Sequence, residues 1–282
     1  MQRIAFLDVD GTIIDSLGRI DPTTISAVRE ARAGGHHVFL CTGRAEAEIA
    51  PSVREIGFDG IVSAGGGFVT IDGELIIERA MPTALATELL DFLRAEDLPA
   101  VLQTFTGTYA ESAAVERITA GAIRAHEALA AAGVDVSHAA AAEPTVRDIA
   151  EAPADVRDHI AKVVFVGDDH SAYDRTVAGL GDRFHIVTGS IPFLGSASGE
   201  ISGPGVNKGT TIEMLLPRLG FTRAQAIGIG DSPNDLEMFA ACGVSAAMGN
   251  ATDAVKAAAS EVTSAVLDGG VHAVFARHGL LL

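Results

Sequence analysis

Cysteine is scarce in this chain. The two present, Cys41 and Cys242, exclude a disulfide framework, and neither stands at zinc-like spacing from histidines. Basic residues are also few: 20 Lys and Arg stand against 37 Asp and Glu, for a formal net charge of -17. That balance argues against nucleic acid or an anionic membrane as a partner. It leaves room for a small anion, because a local site can invert the field of the whole chain. No uninterrupted apolar run approaches the length that spans a bilayer. The first residues enter a strand without the basic segment and apolar core of a signal peptide, so the expectation is a soluble, cytoplasmic protein. Aromatics are few, yet an apolar content of 48% with 31 glycines is that of an ordered globular chain. At 282 residues, two domains are the natural expectation.

What is present begins with the first strand. The run Arg3-Ile4-Ala5-Phe6-Leu7 ends in Asp8-Val9-Asp10-Gly11-Thr12. Strand side chains alternate, so Asp8 and Asp10 project to one side if the extended geometry persists. Two like charges so close repel unless a cation or a shared proton intervenes, and oxygen ligands at this spacing suit magnesium. The alternative is an acidic turn, with Asp and Gly as turn formers.

Asp21-Pro22 reads as an N-cap and first-turn proline of a helix through Ile25, Val28 and Ala31, ending at Gly34-Gly35. A short apolar strand from His37 to Cys41 runs into Thr42-Gly43-Arg44, and a helix through Ile49 and Val53 is expected next. Gly60 to Ser63 is a further strand, followed by three glycines and a hairpin turning at Asp72-Gly73. Such alternation of helices with apolar strands predicts a doubly wound parallel sheet covered on both faces. From about residue 82 the pattern changes. Helices over 84–95 and 114–132 and strands over 101–105, 162–167 and 184–188 suggest an inserted α+β unit reaching to about 190. The alanine-rich stretch 139–142 carries no chemical signal. The alternation then resumes, with Asn207-Lys208-Gly209 opening a helix, a strand from Ala226 to Gly230 running into Asp231-Ser232-Pro233-Asn234-Asp235, and a strand over 244–248. In an open parallel sheet the crevice lies beyond the carboxyl ends of the strands, so the three polar groups at strand ends are expected to converge.

Asp8-Val9-Asp10-Gly11-Thr12, Thr42-Gly43-Arg44, Lys208 and Gly230-Asp231-Ser232-Pro233-Asn234-Asp235 resemble, in order, the four motifs of the haloacid dehalogenase superfamily. Their spacing, with a long insert between the second and third, is similar to that of Cof-type sugar-phosphate phosphatases with an inserted IIB cap. Asn250-Ala251 and Asp268-Gly269-Gly270-Val271 are similar too. The resemblance implies a discontinuous catalytic core, residues 1–81 and 191–282, and a cap, residues 82–190, that selects substrate. It implies magnesium-dependent hydrolysis of a small phosphate monoester, such as a sugar phosphate, through an aspartyl-phosphate. Asp8 would be the nucleophile and Asp10 the general acid and base. The metal would be held by Asp8, the backbone carbonyl of Asp10, and Asp231.

Thr42, Gly43, Lys208 and Asn234 would bind the phosphoryl group, though Thr42 also reads as an N-cap. Arg44 would contact phosphate or substrate, or simply be solvated. A lysine at a helix start opposes the dipole unless an anion compensates, which favours a functional Lys208. Asp235 fits a capping box begun by Ser232, leaving Asp231 as the metal ligand and Asp235 in support. An acid working near neutral pH needs its pKa raised, so burial and a carboxylate neighbour are expected around Asp10. Cys41 is expected in the core and the pair His36-His37 at the non-catalytic end of its strand. The loop Ala64-Gly65-Gly66-Gly67 lacks the Asn common in the similar family and is not a P-loop. A mutase on the same core and a non-catalytic phosphate-ligand sensor are the alternative functions. Polar residues of the insert, Gln103, Thr106, Tyr109, Glu111 and Arg117 among them, form no motif that names the substrate.

Overall fold

A computed structural model describes residues 1–133, 146–189 and 194–281. Among these, a central sheet of eight strands runs in the order Glu261–Val262, Val244–Ala247, Ala226–Gly230, Ile4–Leu7, His37–Cys41, Gly60–Ser63, Phe68–Ile71, Glu74–Glu78. The first six are parallel; the last two form the antiparallel hairpin turning at Asp72 and Gly73, both at positive φ.

Alternation along the strands sends side chains to two buried layers. Ala5, Leu7, Val38, Leu40, Ile227 and Ile229 pack beneath the helices Pro22–Ala33 and Gly270–Arg277. Ile4, Phe6, Phe39 and Cys41 pack beneath Lys208–Arg218 and Leu236–Ala241. Both faces are dry, which is why these strands read as continuous apolar runs. The chain extends the sheet to one side of Ile4–Leu7 first and to the other side after residue 225, so the strand order reverses beside Asp8. Loops diverge at such a point and leave a crevice at the carboxyl ends of the strands.

The helix Pro22–Ala33 begins as read: the Asp21 carboxylate accepts from Thr23 N at 2.8 Å and Pro22 takes the first position. The continuous helix expected through Ile49 and Val53 is instead two short pieces, Glu46–Glu48 and Pro51–Arg54. Pro51 lacks the N–H needed to continue a turn and starts a new one.

Between the two parts of this sheet the chain forms a second sheet of six strands, ordered His185–Thr188, Ser198–Ser202, Lys162–Val166, Ala100–Gln103, Thr108–Ala110, Val146–Asp148. Helices Thr83–Ala95 and Ala172–Leu180 cover one face. The boundary expected at 190 and 191, like the stretch 139–142, lies outside the described residues. Ser198–Ser202, beyond that boundary, pairs along its whole length with Lys162–Val166. It was not expected as a strand because Ser, Gly and Glu dominate it, yet all five of its residues are buried. No helix among the described residues is long and apolar enough to cross a membrane.

Candidate active site

The first strand ends at Asp8, whose N–H donates to the Ile229 carbonyl at 2.9 Å and whose carboxylate is buried. The chain then turns at Gly11, where φ is +75° and a side-chain Cβ would fall 2.0 Å from Asp231 Oδ2. Glycine is required there twice over, by backbone conformation and by the carboxylate against it.

Lys208 is the organising cation. Its helix is capped by Asn207, whose side chain accepts from Thr210 N at 2.8 Å, and its side chain is 2% exposed. Lys208 Nζ donates to Asp8 Oδ1 at 2.7 Å, Asp235 Oδ1 at 2.6 Å and Asn234 Oδ1 at 3.2 Å. Burial works against the ammonium, but Asp235 and Asp8 outweigh it and hold the Lys208 pKa well above the ordinary lysine value. The anions expected to offset the helix dipole are therefore in place. Burial, opposed by Lys208, holds the Asp8 pKa well above the usual carboxylate range.

The capping box read from Ser232 to Asp235 is formed. Asp235 Oδ2 accepts from the N–H groups of Asp231 and Ser232 at 3.0 and 3.1 Å, while Oδ1 faces Lys208. Both oxygens of Asp235 are thus committed. Asp231 differs: its Oδ2 accepts from Asn250 Nδ2 at 3.3 Å, and its buried Oδ1 has no hydrogen-bond partner. Burial first, and then the neighbouring Asp235, push its pKa up to about 7.

One carboxylate oxygen each from Asp8, Asp231 and Asp235 lies within 4.8 Å of the others. A set of hard oxygens holding an orphaned, buried carboxylate atom fits a divalent cation such as magnesium. Asn250 had no assigned role in the sequence reading; its amide also donates to the Gly11 carbonyl at 2.8 Å and ties the two acidic loops together.

Thr42 and Gly43 follow the second strand. Thr42 is buried, and its hydroxyl accepts from Arg44 N at 3.1 Å rather than capping a helix. The three-glycine turn supports this loop through backbone bonds, Gly65 N to Thr42 O at 3.0 Å and Ala64 N to Arg44 O at 2.7 Å. No side chain from position 64 is needed for that. Asn234 turns its Oδ1 to Lys208 and Ser232, leaving its amide N–H groups toward Gly43.

Two expectations are corrected. Arg44 is not simply solvated: it grips Asp10 with both arms, Nε to Oδ2 at 2.8 Å and Nη2 to Oδ1 at 2.7 Å, with its side chain 31% exposed. The burial expected of Asp10 is not found either, its side chain being 43% exposed beside that arginine. Cys41 lies in the core, where burial pushes its thiol pKa up, and His36 accepts from Arg3 N at the far end of the sheet.

The family profile of haloacid dehalogenase-like hydrolases matches residues 5–275. The chain is 28% identical over 273 residues to a phosphoglycolate phosphatase of Methanothermobacter thermautotrophicus, covering 96% of each chain. It is 26% identical over 258 residues to an HMP-PP phosphatase of Serratia proteamaculans, covering 91% of this chain and 87% of that one. The solved structure of a HAD subclass IIB sugar phosphatase has the same fold, with a TM-score of 0.78 at 19% identity over 99% of this chain and 100% of that one. A buried Asp–Lys–Asp cluster at the carboxyl end of a doubly wound sheet, matched along nearly the whole sequence, means that the chain is an enzyme of the haloacid dehalogenase-like hydrolase family.

Proposed function

We propose that this enzyme hydrolyses small phosphoric monoesters, sugar phosphates or related metabolites, through an aspartyl-phosphate on Asp8 with magnesium as cofactor. The observation that carries this reading is Asp8 itself: a buried carboxylate held by Lys208 beside the unpartnered oxygen of Asp231. The relatives named above act on chemically different phosphates, which agrees with a shared phosphoryl site and a separately built pocket for the leaving group.

In the first step an Asp8 oxygen attacks phosphorus in line, the new O–P bond forms and the bond to the leaving oxygen breaks. Lys208, the Thr42 hydroxyl, the Gly43 N–H and the Asn234 amide take up charge on the phosphoryl oxygens. Asp10 gives its proton to the departing alkoxide. In the second step Asp10 takes a proton from the attacking water, and the bond between Asp8 and phosphorus breaks. Asp8, Asp231 and the Asp10 backbone carbonyl would hold magnesium, whose charge lets the carboxylate and phosphate anions approach one another.

The inserted unit serves as a cap. A cavity of about 20 Å³, bordered by His185, Ser202, Asn207, Lys208 and Asn234, lies between its sheet and Lys208. That is room for about one water molecule. A substrate enters with the cap moved away, and closure then narrows the access of water to the chemistry. Turnover of p-nitrophenyl phosphate that requires magnesium, followed by a screen of phosphorylated metabolites ranked by kcat/KM, tests the reading. No turnover of any phosphate ester overturns it.

Stability should report the cation site independently. The Asp231 pKa is raised in the folded state, so its contribution is fully present below about pH 4, its unfolded value, and is lost as pH rises through about 7. In the presence of chelator, Tm should fall between pH 5 and pH 8. Magnesium should raise Tm more at pH 8 than at pH 5, because binding needs the ionised carboxylate. Asp231→Asn should raise Tm at pH 8 in chelator and weaken the response to magnesium. Equal magnesium shifts in the variant and the parent would exclude Asp231 as a ligand.

A further inference from the structure

Lys162 lies on the cap, far in sequence from every motif, and is 2% exposed. A lysine buried at the start of a strand is costly unless its charge is met. It is met from two sides. Glu200 Oε2 accepts at 2.5 Å from the neighbouring cap strand, and Lys162 Nζ also donates to the Gly43 carbonyl, across the interface in the core. Gln103, its register partner in the cap sheet, reaches the same core loop by donating to Glu48 at 3.0 Å.

The Gly43 carbonyl belongs to the peptide whose N–H is that of Arg44, and that N–H donates to Thr42 Oγ1 at 3.1 Å. A charged donor on the carbonyl polarises the peptide, strengthens its N–H as a donor and fixes its plane. With its lone pair engaged by Arg44 N–H, the Thr42 hydroxyl has its proton left to donate. No acceptor for that proton is found among the described residues.

We propose that Lys162 is a positioning residue: through the 43–44 peptide, the closed cap aims the Thr42 hydroxyl at the phosphoryl group. The proposal rests on the phosphatase reading. It ties formation of the phosphate site to cap closure, so the site is complete only when the leaving group is covered.

The test is a mutant cycle on p-nitrophenyl phosphate, with inorganic phosphate as the inhibitor. K162M/E200Q removes both buried charges together and leaves no unpaired carboxylate. It should lower kcat about ten- to a hundred-fold and raise the inhibition constant for phosphate about ten-fold, with Tm within a few degrees of the parent. T42A should show a similar loss, and the triple variant should lose no more than about twofold beyond T42A, because the two changes act on one hydrogen bond. Parental kcat and phosphate inhibition in K162M/E200Q, or losses that multiply in the triple variant, overturn the proposal. E200Q alone keeps the ammonium on Gly43 and should retain parental kcat. A ten-fold loss in E200Q overturns the proposal even if the double variant does not fold. An inactive parent overturns the phosphatase reading, and this proposal with it.

Discussion

Asp8→Asn should lower kcat for p-nitrophenyl phosphate by at least about 10⁴-fold while the protein stays folded, as expected when a covalent nucleophile is removed. The amide oxygen can still accept from Lys208, which now sits 2.7 Å from Asp8 Oδ1, so the geometry of the cluster is kept. The change also removes a buried charge that the site holds at a cost, since burial raises the Asp8 pKa. Tm should therefore equal or exceed that of the parent. The effect is on chemistry and not on binding: substrate should still bind, and single-turnover experiments should find no phosphorylated protein. Activity above about 1% of the parent, measured on protein proven free of contaminating phosphatase, would mean that another group attacks phosphorus.

Lys208→Met should be the most damaging single substitution to stability. The ammonium bridges Asp8 and Asp235, whose side chains are 6% and 0% exposed. Removing it leaves two carboxylates buried against each other with no counter-charge, a loss on the order of 3–5 kcal/mol for breaking a buried ion pair. Urea denaturation should show the midpoint falling accordingly, and kcat should fall by at least about 10³-fold with the loss of charge on the phosphoryl group.

The second substitution separates the two effects. In K208M/D235N, the oxygen of the new amide can still accept from the Asp231 and Ser232 N–H groups while its nitrogen donates toward Asp8. Stability should return in part; activity should not. Activity recovered together with stability would show that Lys208 serves the fold alone.

The acidic site was legible in the sequence because its signals are local. Asp8 and Asp231 each close an apolar strand, and strands of a doubly wound sheet deliver their carboxyl ends to one edge wherever they fall in the chain. The Ser232–Asp235 capping box was readable for the same reason: it spans four adjacent residues. Lys208 was betrayed by standing at a helix start where a cation is unfavourable without an anion.

Other parts depend on which elements become neighbours. Arg44 reads as an ordinary helix-entry arginine until the turn after the first strand places both Asp10 oxygens against it. Asn250 follows a strand like many loop asparagines, and its bond to Asp231 exists only because Gly11 leaves space for that carboxylate. Lys162 opens a strand of the insert, and Glu200 lies in a stretch of Ser, Gly and Glu with no strand signal. The antiparallel register of Lys162–Val166 with Ser198–Ser202 puts them on one face, and the closure of that face over Gly43 buries both.

The sequence by itself thus determined a parallel α/β core with aspartates and a lysine gathered at one edge, because period, strand ends and caps are properties of neighbouring residues; the roles proposed for them come from the family resemblance. Only the tertiary structure decided that Arg44 belongs to Asp10 and that the cap reaches Gly43 through Lys162. A charge paired across 34 or 119 residues is set by sheet register and domain packing, which no local pattern encodes.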